Sequence, residues 1–273
     1  MDFLLNPITF VAVFVVVGLC AGLITGIMGG SGVVVVVPIL IFLGFPVHVA
    51  IGTSLFVDVA ASLVASYTYH QHKNIDLSSG VWMALAAVAG AQLGSMLAGY
   101  TPAFGLSWGF TVFLILNGLY ILKTGMKNVT ERISNVARKR LLKGGLNTKK
   151  GKRRATVISV VAGLAIGVVS GFIGAGGGIM FLLVLLFVLG YELHVAIGTS
   201  TLVMAITATS GAAGYYLRGN LDLLTAVIIS IGTLASSRMG ALAANRLGVE
   251  SLGRVIGIIF IALGLMMLFP LVV

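Results

Sequence analysis

The sequence predicts an all-α membrane protein: a polytopic helical bundle of two inverted structural repeats, each a glycine-broken hairpin plus three spans. Three observations predict it. Of the 273 residues, 59% are hydrophobic and only 9% are charged, where a soluble domain carries about 25% charged residues. Apolar runs of roughly membrane-spanning length recur at 8–28, 48–69, 80–98, 104–122, 156–174, 193–216, 222–243 and 254–273. The chain also repeats itself, since His-Val-Ala-Ile-Gly-Thr-Ser occupies both 48–54 and 194–200.

Taken in order, the first run has no Lys or Arg in the residues leading into it. It lacks the basic n-region of a secretory signal and reads as a retained span. It ends at Gly29-Gly30-Ser31-Gly32, a stretch too flexible for continuous helix. The apolar block 33–44 comes next. As helix it covers about 18 Å of a bilayer core of about 30 Å. Residues 8–45 therefore read as a hairpin or broken helix that turns inside the membrane, followed by three spans ending near residue 124. The second half, 156–273, repeats the plan, with its break at Gly174, Gly176 and Gly177 inside a hairpin over 156–190. A shift of 146 aligns residues 74–77 with 220–223 and Gly94 with Gly240, and upstream a shift of 145 aligns 22–32 with 167–177. Internal repeats of this kind are a common building plan of secondary transporters.

Between the halves lies a basic segment, 125–155. The net charge of the chain is +10, and the stretch from Lys123 to Arg154, with twelve Lys or Arg and one acid, carries +11, so the rest sums to −1. Basic loops mark the cytoplasmic side, so this segment reads as a cytoplasmic loop that meets anionic lipid headgroups rather than nucleic acid. Val129, Ile133 and Val136 fall at helical spacing, consistent with a short helix on the leaflet. If each hairpin enters and leaves on one side, the halves are inverted and both termini lie outside the cell membrane. Lys73, Arg246 and Arg254 then join the basic loop inside, and Arg218 alone is outside.

Candidate site residues follow from the repeat and from its exceptions. Two glycine breaks at matching positions, each before a short span, offer free N–H groups at half-helix N-termini, which suit anions. Glycine also serves close helix packing, and both uses stay open. His48 and His194 head the two copies of the heptapeptide, either bonding a carbonyl or titrating near neutral pH. About one turn deeper, Thr53, Ser54, Thr199 and Ser200 either bond helix backbone or offer hydroxyls to a ligand at one midplane cavity. Two charges fall inside spans, Asp58 and Arg238, and an ionisable group in a membrane is by default a functional candidate. They align with Met204 and Gln92, so neither belongs to the repeat. They either pair with each other or divide the work, Arg238 (with Gln92) binding an anion and Asp58 carrying a coupling proton.

Several function classes recede. The only cysteine is Cys20, so no disulfide framework exists, and the histidines do not cluster with carboxylates at metal-ligand spacing. No cofactor is expected. Gly29-Gly30-Ser31-Gly32 matches the pattern of an intramembrane serine protease, but Gly176 replaces the serine in the second half. An enzyme is not the expected class. A divalent-metal transporter using Asp58 and the histidines, another organic-acid transporter, or a non-transporting scaffold remain the alternatives. A homodimer is open.

Taken together, "GVVSGFIGAGGGIM" before "LGYELHVAIGTS", the equivalents "GLITGIMGGSG" and "LGFPVHVAIGTS", and the turn "GNLDL" resemble the TauE/SafE family of sulfite and organosulfonate exporters. The likeness covers both halves apart from the basic loop. It implies a multi-pass plasma-membrane protein that moves small anions: sulfite, sulfoacetate and related sulfonates, thiosulfate, or in some members other organic acids. Ser31 and the valine run after it depart from the family's usual glycine stretch.

Overall fold

The computed structural model describes residues 7–28, 31–124, 149–174, 177–244, 258 and 261–268. In chain order its helices are α1 (Pro7–Met28), α2 (Val33–Phe42), α3 (Val47–Gln71), α4 (Leu77–Tyr100) and α5 (Ala103–Thr124). The second half follows with α6 (Lys149–Ile173), α7 (Gly178–Leu183, continued as a π-helical turn over Val184–Val188), α8 (Leu193–Leu217) and α9 (Leu223–Ala244). Residues 261–268 are also helical. Among the described helices six, namely α1, α3, α4, α6, α8 and α9, are long and apolar enough to cross a membrane. The protein is an all-α polytopic membrane bundle.

Both helix interruptions fall at the glycine runs. α2, with 10 residues, is roughly 15 Å long, about half of a bilayer core. α6 opens at Lys149, ahead of the apolar run at 156, so the end of the basic segment forms its first turns. The rest of that segment, including Val129, Ile133 and Val136, lies outside the described residues. So do Arg246, Arg254, Gly29, Gly30 and Gly176.

Glycine sets how closely the spans approach. A Cβ added at Gly18 would lie 2.0 Å from the Ile229 carbonyl oxygen, and one at Gly26 would lie 2.2 Å from that of Ser237. Rising numbers on α1 meet rising numbers on α9, so these two helices run parallel in backbone contact. The equivalent pair is α4 with α6. Added Cβ atoms at Gly163, Gly167 and Gly171 would lie 2.3, 2.4 and 2.2 Å from the carbonyl oxygens of Met83, Ala87 and Ala91. In lipid there is no hydrophobic drive between spans, and close van der Waals packing of small residues takes its place. Each half's first helix thus packs on the other half's α4-type helix, and the halves are exchanged rather than side by side.

The doubled heptapeptide supplies the central contact. Gly52 faces the Asn220 carbonyl oxygen just past the end of α8, and Gly198 faces the Asn74 carbonyl oxygen just past the end of α3, each with room of only 2.0 Å for a Cβ. The start of each helix meets the end of the other, so α3 and α8 are antiparallel. Around them a core forms from Ile51, Leu55, Phe110, Leu114, Tyr215 and Met267. Large apolar side chains such as Leu97, Leu116, Val161 and Leu224 remain exposed along the spans, as a lipid-facing surface requires.

The turns after α3 and α8 need a left-handed residue. The second half uses Gly219 at φ +71°, while the first uses Lys73 at φ +58°, a conformation that costs a side-chain residue about 1–2 kcal/mol. In thermal unfolding of detergent-purified protein, Lys73→Gly is expected to leave the midpoint unchanged or raise it. Gly94→Leu puts a Cβ 2.1 Å from the Val168 carbonyl oxygen. It is expected to lower the midpoint or the folded yield, overpacking costing about 1–3 kcal/mol and sometimes more.

Candidate functional site at the two helix breaks

Asp58 lies near the middle of the 25-residue α3 and is fully buried. Its carboxylate accepts hydrogen bonds from the Ser31 hydroxyl and from the Gly32 N–H at 2.9 Å. The Val33 N–H in turn donates to Ser31 Oγ at 3.2 Å. The first break therefore holds an anion of its own: a carboxylate from α3 sits on the positive end of α2 and satisfies N–H groups that water would otherwise receive. Gly32 is required by close approach, since a Cβ there would lie 2.9 Å from both Ala21 and the Thr25 hydroxyl. Above the break, the Tyr69 hydroxyl donates to the Gly26 carbonyl at 3.3 Å.

The second break has the same frame and different contents. The Tyr215 hydroxyl donates to the Gly171 carbonyl at 3.2 Å, matching Tyr69. Gly174 and Gly177 adopt φ of +78° and +72°, and Gly174 closes on the Ile51 side chain. The residue equivalent to Asp58 is Met204, fully buried and apolar, and the shift of 145 pairs Gly176 with Ser31 in the sequence. Thr25 of the first half donates to the Ala21 carbonyl at 3.0 Å. Its equivalent Ser170 is buried, and its hydroxyl has no hydrogen-bond partner among the described residues.

The other candidates are dispersed. The Thr53 hydroxyl oxygen accepts the Asp222 N–H at 3.1 Å, and that of Thr199 accepts the Asp76 N–H at 3.0 Å. Ser54 and Ser200 donate to the Ile51 and Ile197 carbonyls of their own helices at 2.8 and 2.9 Å. The two hydroxyl pairs do not converge on one cavity, because antiparallel α3 and α8 carry them to opposite ends. His48 Nε2 lies 3.0 Å from the Ala98 carbonyl and 3.2 Å from that of Thr101, at the end of α4. His194 is exposed at the head of α8. Gln92 ties α4 to α8 by donating to the Ser210 carbonyl at 2.6 Å. Arg238 is exposed on α9, whereas Asp58 faces α2. Among the described residues no three His, Cys, Asp or Glu side chains gather as a metal site. A cavity of about 400 Å³ lies between α3, α8 and the start of α9, lined by Phe56, Val59, Ala212, Leu221 and, as its polar members, Thr209 and Tyr216.

Sequence reasoning passed over Tyr69, Tyr215 and the two asparagine turns as partners of the glycines. The signal was present: the shift of 146 that pairs the heptapeptides also pairs Tyr69 with Tyr215 and Asn74 with Asn220.

The fold defines a polytopic membrane protein with glycine-interrupted helices and buried polar groups at mid-span, and the family match gives its class. The family profile described as sulfite exporter TauE/SafE matches residues 14–267, and the chain belongs to this family of transporters rather than to any enzyme class. Among curated proteins, it is 24% identical over 269 residues to the probable membrane transporter protein YunE of Bacillus subtilis, covering 94% of this chain and 97% of the relative. It is 28% identical over 221 residues to the probable membrane transporter protein YdhB of the same organism, covering 81% and 84%. The probable membrane transporter protein YfcA of Escherichia coli is 23% identical over 239 residues, covering 88% and 82%. No solved structure matches the chain.

Removing the Asp58 carboxylate strands the Ser31 hydroxyl and the Gly32 N–H in a dry interior, at about 1–3 kcal/mol per group. Asp58→Ala is expected to lower the thermal midpoint of purified protein by several degrees. Asp58→Asn keeps an acceptor for Gly32 and is expected to stay much closer to wild type.

Proposed function

We propose that the protein is a secondary transporter of small oxyanions, with sulfite and sulfonates as the best fit, working by alternating access between two inverted repeats. The contact registers support the inversion: α3 opposes α8, while α1 follows α9 and α4 follows α6, so each helix opposes its equivalent. A pseudo-two-fold axis in the membrane plane is the arrangement on which alternating access commonly rests.

The observation that carries the site is the chemical difference between the breaks. In the first, Asp58 already occupies the N-terminus of α2. In the second, Gly174 and Gly177 frame a break with Met204 in place of the carboxylate, and the Ser170 hydroxyl lacks a described partner. An anion bound there would meet N–H donors and a hydroxyl with no fixed negative charge beside it. Asp58 is then the coupling residue: as a carboxylate it accepts from the Ser31 hydroxyl and the Gly32 N–H, and on taking a proton from water it gives up part of that acceptance. Arg238, on α9, acts as the cation that draws the anion in. The basic segment contacts anionic headgroups, and the bilayer is the protein's solvent.

Proteoliposome flux tests this directly. Wild type is expected to move sulfite or a sulfonate in response to a proton gradient. Ser170→Ala and Arg238→Ala are expected to reduce that flux at least tenfold, about 1.4 kcal/mol of lost stabilisation, with the thermal midpoint kept. Asp58→Asn is expected to uncouple flux from the gradient. Full flux in Arg238→Ala and Ser170→Ala would place the anion elsewhere.

A further inference from the structure

Arg218 caps the C-terminal end of α8 and lies exposed at the end of the bundle where α3 starts and α4 ends. Its guanidinium is fixed at one nitrogen. Nη1 donates to the Gly214 carbonyl of its own helix at 2.6 Å and to Ser95 Oγ of α4 at 3.2 Å. Glycine permits this fold-back, since a Cβ at Gly214 would lie 2.4 Å from Ser95 Oγ and 3.1 Å from Nη1. Gly99, exposed one turn beyond Ser95, leaves the other edge of the guanidinium uncovered. A Cβ there would lie 3.5 Å from Arg218 Cδ and 3.8 Å from Nε.

Nothing described neutralises this cation. Nε and Nη2 have no hydrogen-bond partner among the described residues. Gln92 Oε1 comes within 3.1 Å of the same point above Gly214, but it is neutral and makes no hydrogen bond to the guanidinium. The described carboxylate at this end, Asp222, is turned onto its own helix, accepting from the Leu224 N–H at 3.1 Å and the Thr225 hydroxyl at 2.9 Å. The repeat does not supply the corner twice. The residue equivalent to Arg218 is His72, whose Nδ1 lies 2.8 Å from the Thr68 carbonyl, and the equivalent of Ser95 is Ala241.

We propose that Arg218, held by Ser95 and Gly214 and left open by Gly99, is an oxyanion-binding site at this end of the bundle, separate from the second helix break. The Nε and Nη2 edge of a guanidinium presents two parallel N–H donors that match a pair of oxygens on a sulfonate, sulfate or phosphate group. Ser95 and Gly214 set that fork in place before a ligand arrives, so little side-chain freedom is lost on binding. A free oxyanion and the phosphate of a lipid headgroup share this chemistry. The site stands whether or not the second break binds an anion. If the chain moves oxyanions, an unneutralised arginine here gathers them at one face.

Leu217, 82% exposed and adjacent to Arg218, serves as the reporter position. In a Cys20→Ser background, Leu217→Cys carries an environment-sensitive fluorophore, and the full chain is held in lipid-free maltoside micelles. Sulfate is titrated in against chloride at constant ionic strength. A saturable change is expected. Arg218→Gln is expected to raise the half-saturating sulfate concentration about tenfold or more, the weight of a charge-assisted hydrogen bond. Arg218→Lys keeps the charge without the fork and is expected to fall between. Gly99→Leu keeps the arginine but covers Nε, and is expected to weaken sulfate as well. Repeating the titration in phosphatidylcholine nanodiscs separates the two sources. A response that persists there marks a site for free oxyanions, and one seen only in micelles marks a site filled by lipid phosphate. A linear response that chloride matches, or a half-saturation unchanged in both Arg218→Gln and Gly99→Leu, would overturn the site. Should Arg218→Gln lose its thermal transition, the Gly99→Leu arm decides alone. The titration needs no flux, so absent flux would count against the transporter reading and leave the binding result standing.

Discussion

A helix that stops inside a bilayer leaves N–H groups with no water to receive them, and this bundle is arranged around two such stops. At the first, the chain brings in Asp58 from the next helix, a carboxylate fully buried near the centre of a span. An isolated charge there would be expensive. The same groups that would otherwise be stranded, the Gly32 N–H and the Ser31 hydroxyl, are what make it tolerable. The break needs the carboxylate and the carboxylate needs the break. Gly32 is fixed by the same geometry, because the capped end of α2 must lie against Ala21 and Thr25. At the second stop no such carboxylate appears among the described residues, and two left-handed glycines, Gly174 and Gly177, flank the break.

Everything else positions these stops. A segment as short as α2 or α7 is held by the longer helices packed beside it. Tyr69 and Tyr215 pin the ends of α1 and α6 just before each break. Those ends are in turn locked to α9 and α4 through carbonyl-to-glycine contacts. Because these locks run between halves, each half depends on the other for its closest helix approaches. The bundle's cohesion depends on the exchange, and at the α3–α8 pair hydrogen bonds through Thr53 and Thr199 mark the two ends.

Much of this was legible in the residues. The breaks, the short helices after them and the two-fold repeat follow from glycine runs, apolar length and self-similarity. Asp58 stood out because it is a charge in a span and an exception to the repeat. Contact across the repeat was not legible. An alignment shift says which residues are equivalent, not which residues touch, so the hydroxyls of the doubled heptapeptide read as if they shared one cavity. Antiparallel packing separates them and sets Gly52 and Gly198 against turns that the sequence also repeats. Likewise the bond between Ser31 and Asp58 joins residues from different helices, and only the depth of α2 beside α3 brings them together. The start of α6 at Lys149 was hidden because basic residues carry no apolar period, although they are good helix formers.

Symmetry in the fold and asymmetry in its contents do different jobs. A bundle whose halves were chemically identical would present the same ligand site twice. Here the frame is kept nearly intact: glycine locks, tyrosine pins and threonine latches recur at a constant shift. The departures sit at the points where the frame touches function. In the sequence Ser31 with Asp58 stands against Gly176 with Met204, and among the described residues only the first break is capped by a buried carboxyl group. In a repeat fold, the positions where the halves disagree are the ones that the frame alone does not explain, and substitution should test them first.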